Sequence, residues 1–139
     1  MIARVGMTAI MWRYEGWHGK WSILWMANID MAVGFVCIFT ASGLPVLFAG
    51  LIIFGGGMGV TYYAGLYYAM AVGRARFDAG GTHEALIGTG YAVGPLAGLI
   101  AISFSSSHSI EAPTTLIATV SCLLIAAGGA LWLIWRKAR

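Results

Sequence analysis

Asp30 is the residue with the most chemistry to offer, because it stands inside an apolar stretch. From residue 31 to residue 42 the chain supplies only about 18 Å of helix. That is short of the roughly 30 Å of hydrocarbon in a bilayer. The apolar span must therefore begin before Asp30, which puts the carboxyl about 12 Å into the membrane. A mid-bilayer Asp costs on the order of 3 kcal/mol and faces a cavity or a partner. One role is proton or cation coupling, or contact with a substrate. The other is a structural acid paired with a group on a neighbouring helix, although no Lys or Arg lies inside the remaining apolar spans. Asn28, two residues earlier, is a second polar candidate for such a pathway.

Tyrosines form the next group. Gly55, Gly59, Tyr63 and Tyr67 recur at a spacing of four and share one helical stripe. Tyr62 and Tyr68 add phenols on adjoining faces. Each hydroxyl in a membrane needs a hydrogen-bond partner, which a polar cavity or a neighbouring helix supplies. Tyr63 and Tyr67 therefore join Asp30 and Asn28 as substrate or ion pathway candidates. The run Gly55-Gly56-Gly57-Met58-Gly59 is the weak point of this segment.

Further along, Gly90, Gly94 and Gly98 form a stripe of small residues of the kind that lets helix backbones approach. Pro95 removes one backbone hydrogen bond there and predicts a kink. These four are helix-packing candidates. Thr82 is placed to cap this helix, with Glu84 in its first turn opposite the helix dipole and His83 beside it. His108 and Glu111 make an H-x-x-E pair with no third ligand nearby. Cys37 and Cys122 lie in apolar runs and read as small hydrophobes. No catalytic constellation, phosphate loop or metal cluster appears, so neither enzyme activity nor a cofactor is expected.

The elements that position these groups follow from composition. Of 139 residues, 60% are hydrophobic and 9% charged, against about 25% charged in soluble domains. The surface must then face lipid, and disorder is excluded. Four apolar spans stand out, at 22–42, 44–73, 84–104 and 114–135. A tight turn with Pro45 separates the first two, a charged Gly-rich loop at 74–82 the next two, and a polar loop at 105–113 the last two. Residues 1–21 read as a cytoplasmic or interfacial lead-in and 136–139 as a basic tail. Arg4, Arg13, Lys20, Arg74, Arg76, Arg136, Lys137 and Arg139 all fall on one side of such a topology. That predicts both termini in the cytoplasm. These bases mark topology and not nucleic-acid binding. Trp17, Trp21 and Trp25, with Trp132 and Trp135, read as anchors at the membrane–water boundary. The stretch at 5–12 is too short and lacks the cleavage site of a secretory signal. The expectation is an all-α integral membrane protein.

The block Gly88-Thr-Gly-Tyr-Ala-Val-Gly-Pro-Leu-Ala-Gly98 resembles the Gly-Pro helix of major facilitator superfamily transporters. Their "G-x-x-x-G-P-x-x-G" pattern marks the fifth helix of many proton-coupled exporters, with the eleventh as its pseudo-symmetric counterpart. The resemblance implies that the four spans correspond to helices nine to twelve, a partial bundle of that fold. It implies transport of a small organic solute across a bacterial cytoplasmic (inner) membrane, in company with the missing transporter helices or a partner membrane protein. The family's basic "G-x-x-x-D-R-x-G-R" loop is absent, and residues 13–20 are at best a distant echo of it. Such transporters carry about twelve helices around a midplane site. The chain is accordingly expected to be a fragment, or a small protein derived from such a transporter. Two rival readings are a non-transporting accessory subunit docking through the Gly90/Gly94/Gly98 stripe, and a four-helix dimeric multidrug transporter.

Overall fold

The computed structural model describes residues 1–72, 76–108 and 112–137. Arg74, Glu111 and Arg139, which entered the charge and H-x-x-E readings, lie outside the described residues. The helices are α1 (Ile2–Arg13), α2 (Ser22–Phe39), α3 (Leu44–Val72), α4 (Arg76–His108) and α5 (Ala112–Lys137), with a 3-10 turn at Glu15–Trp17. No strand occurs among the described residues. Helices α2 to α5 are four helices long and apolar enough to cross a membrane. The fold is all-α, and these helices suggest an integral membrane protein. Their outward faces fit that solvent, since Ile100 is 69% and Ile125 74% exposed. Hydroxyls on the helices bond to carbonyls one turn back, as Thr61 Oγ1 does to Gly57 O (2.9 Å) and Thr89 Oγ1 to Ala85 O (2.8 Å). Lipid offers no other partner for such groups.

Several boundaries differ from the expectation. The segment expected as a loop at 74–82 is helical from Arg76 onward. Thr82 therefore lies inside α4 instead of capping it, and Glu84 is two turns from its start. Helix propagation adds one hydrogen bond per residue, which outweighs the roughly 1 kcal/mol cost of each of Gly80 and Gly81. At the other end α4 runs to His108, into the stretch expected as a polar loop. Pro95 lies inside α4, which continues past it as one helix. Helix α3 is likewise continuous through Gly55–Gly59, so its weak point does not break it. Pro45 and Pro113 each occupy the second position of a helix, where a missing N–H costs nothing.

The chain divides into two compact units, one of Met1–Ala64 with Leu124–Arg139, the other of Gly65–Leu123. In the first unit α2 and α3 form an antiparallel hairpin whose backbones nearly touch. A methyl at Gly34 would fall 2.5 Å from the Phe54 nitrogen, and one at Gly50 would fall 2.9 Å from Cys37 Cβ. A methyl at Gly57 would meet the Ala27 carbonyl oxygen at 2.9 Å. Residues 2–13 of the expected lead-in form α1, laid against the middle of α3. Gly55 faces Ala3, and a methyl at Gly59 would lie 2.6 Å from the Arg4 carbonyl oxygen. Two partners pack on the glycine run of α3, and that close approach offsets the conformational freedom the glycines lose.

The reversal between α1 and α2 is pinned by Trp17 and Gly19. Trp17 is only 7% exposed. Its Nε1–H donates to the Met11 carbonyl at 3.1 Å, satisfying one of the orphan acceptors at the end of α1. Gly19 adopts φ 75°, a left-handed conformation that other residues take at a cost. Helix α5 returns to this unit with Gly128 beside Asn28 and Trp25. Arg136, in its last turn, lies over the Trp132 ring at 5.5 Å.

In the second unit, His83 of α4 packs on Gly65 of α3, its Cε1 3.0 Å from where a methyl would stand. Ala101 and Ser105 are its most buried residues, at 5% and 2% exposure. Around Gly90, Gly94 and Gly98 a methyl would meet no atom of the described residues within 4 Å. The stripe expected to pack helices is open here.

Candidate functional site

Two stripes with the same spacing face each other in the first unit. Helix α1 offers Met7, Ile10 and Met11 on one face, with Tyr14 just past its end, and α2 offers Ile23, Met26, Ala27 and Asp30 in the i, i+3, i+4, i+7 pattern of one helical face. Between them lies a cavity of about 240 Å³, lined also by Trp17 and by Val60 of α3. Asp30 is the one acid of this lining, and no Lys, Arg or His shares it.

The position of Asp30 follows from helix length. It stands at the midpoint of Ser22–Phe39, about 12 Å of helix from the first residue. Its side chain is half-buried, and no described residue hydrogen-bonds or ion-pairs with its carboxyl. The base on α1 nearest in sequence to Met7 is Arg4, and its guanidinium lies over the Tyr62 ring, 5.0 Å from the centroid. That cation–π contact holds the charge on the face of α3. Ile10 and Met26, which line the cavity, are 60% and 57% exposed, so it opens on the apolar surface of this unit.

The other pathway candidates are distributed elsewhere. Asn28 turns towards α5, its Oδ1 3.9 Å from a methyl position on Gly128. Tyr63 meets the edge of Trp17, with ring centroids 5.8 Å apart and planes at 70°. It packs on a residue of the cavity lining and does not itself line the cavity. Tyr67, in the second unit, pairs edge-on with Tyr68 at 5.3 Å. The stripe Gly55, Gly59 and Tyr63 is thus the seat for α1 and the 3-10 turn.

Trp17, Met7 and Met11 belong to the site although the sequence reading assigned them no such part. A signal for them exists in the matching i, i+3, i+4, i+7 stripes on either side of a Gly-containing reversal. Thioethers and an indole give adaptable, polarisable walls. A carboxyl set among them can hold a proton or answer a positive charge. Among the described residues no three His, Cys, Asp or Glu side chains come together as a metal site. Compared with known proteins, the chain matches no family model, no curated protein and no solved structure.

Proposed function

We propose that this chain is part of a membrane transporter for a small organic solute, with Asp30 as its coupling or substrate-contact residue. The observation that carries this reading is the carboxyl at the middle of a membrane-length helix, bordering a cavity that no base among the described residues lines. An acid at that depth is costly, and it is retained where it faces an ion or solute path. The Gly88–Gly98 block adds the likeness to the Gly-Pro helix of major facilitator transporters, and the bases at the chain ends favour both termini in the cytoplasm. On this reading the four long helices correspond to the last four of that fold, in a bacterial cytoplasmic membrane. The test is proton-driven solute flux in reconstituted vesicles, from wild-type protein and Asp30→Asn. Loss of pH-dependent flux with normal membrane insertion supports the role; unchanged flux in the Asn variant rejects it.

The open stripe at Gly90, Gly94 and Gly98 favours a second reading, an accessory subunit docked on a larger membrane protein. A methyl at Gly94 would meet no atom of the described residues within 4 Å, so Gly94→Ala leaves the isolated chain intact on either reading. Only docking through the stripe makes that variant lose a co-purifying partner.

A further inference from the structure

We infer that the cavity between α1, α2 and α3 binds a lipophilic monocation: a ring or short alkyl groups carrying one positive, weakly hydrated centre. The inference rests on the transport reading for the role of Asp30, and it adds the chemical class of the ligand.

Size is the first argument. An apolar cavity of about 150 Å³ holds benzene, so about 240 Å³ accommodates a ring with a small substituted ammonium group. The walls are the second. Met7, Met11 and Met26 present thioethers, and Trp17 and Tyr14 present aromatic rings. Aromatic faces attract cations, most strongly where water is excluded. Methionine repacks around ligands of differing shape. Charge complementarity is the third and decides the class. The lining carries one carboxyl and no base, and Arg4 is held away over Tyr62. An anion entering here would meet Asp30 without a countercharge; a neutral solute would leave the carboxyl unanswered. A strongly hydrated inorganic ion would lose water to apolar walls that offer few replacement ligands. A cation with an apolar shell answers both the charge and the walls. Because Ile10 and Met26 are largely exposed on the same face, such a ligand can enter from the surrounding lipid.

The test uses the full chain in lipid nanodiscs with methyl-labelled methionine, observed by NMR. Benzyltrimethylammonium is the probe, and neopentylbenzene is its neutral isostere. Binding should move the methyl signals of Met7, Met11 and Met26 and leave Met58 and Met70 in place. Asp30→Asn should weaken the cation by about tenfold or more, as loss of a close charge contact implies. The same variant should leave the isostere unchanged, and Asp30→Glu should restore the cation preference. Equal binding of cation and isostere to the wild type would overturn the inference, leaving a plain apolar groove that a lipid tail fills. So would shifts in Met58 or Met70 alone. Cation binding without flux in vesicles supports the site while removing the transport reading. Flux of another solute, with no cation binding, overturns the ligand class and leaves that reading standing.

Discussion

Gly34→Ala is the sharpest perturbation this fold offers. The new methyl would stand 2.5 Å from the Phe54 nitrogen and 2.8 Å from its Cα and Cβ. Carbon atoms in contact sit about 3.5–4.0 Å apart, so α2 and α3 must separate locally by about 1 Å. The obstruction is backbone, which no rotamer change relieves. A gap of that size forfeits roughly a quarter to a half of each pair attraction along the seam. Overpacking of this kind costs about 1–3 kcal/mol. The lower backbone entropy of Ala returns about 0.5–1 kcal/mol, leaving a net loss of up to about 2.5 kcal/mol. Gly94→Ala is the matched control, since its methyl meets nothing within 4 Å. There the entropy term stands alone, and a neutral or slightly stabilising change is expected. Unfolding of both variants in mild detergent, titrated with dodecyl sulfate and followed by circular dichroism, makes the comparison. Gly34→Ala as stable as Gly94→Ala would refute the close α2–α3 seam.

Trp17→Phe keeps the ring against Tyr63 but removes the Nε1–H that serves the Met11 carbonyl. A buried acceptor left unserved costs about 1–3 kcal/mol, so amide exchange in residues 2–13 should accelerate while α4 stays unchanged; uniform protection would contradict the capping role. Cysteines at Gly81 and Ser106, both exposed positions near the ends of the Gly80–Ser106 segment, are separated by about 38 Å of helix. They should react with an impermeant maleimide from opposite faces of oriented vesicles, Gly81 from the cytoplasmic side. Labelling from one side would sink the four-span topology.

Much of the helical layout was legible because apolar length is a strong signal when lipid is the solvent. The expected starts of the first two spans coincide with those of α2 and α3. The packing was less legible. Gly34 and Gly50, and likewise Ala27 and Gly57, are equidistant in sequence from Ser42, so an antiparallel hairpin brings each pair together. That pattern is available only once the turn is known. Gly90, Gly94 and Gly98 show the converse. A small-residue stripe signals capacity for close packing, but among the described residues no neighbour fills it. Residues 76–82 were read as a loop because two glycines and a charge cluster look like punctuation; cooperative propagation carried the helix through them. Helix arithmetic alone places Asp30 at the middle of the first apolar helix. Its surroundings were not legible, because they depend on α1, a helix too short to announce itself as a span.

Carbodiimide chemistry reads out whether the Asp30 carboxyl, which borders the apolar cavity, lies at the mid-membrane depth proposed for it. A protonated carboxyl adds dicyclohexylcarbodiimide to give a stable acylurea, and this lipophilic reagent reaches carboxyls through the bilayer. A charged, water-soluble carbodiimide does not. Protein in sealed vesicles is treated with either reagent, digested and weighed peptide by peptide. An adduct at Asp30 is expected from the lipophilic reagent alone, and a smaller one when benzyltrimethylammonium is present. Glu15, outside the long helices and exposed, should show the opposite preference when its face is accessible. An Asp30 adduct formed equally well by the water-soluble reagent, or no adduct from either, would contradict that depth.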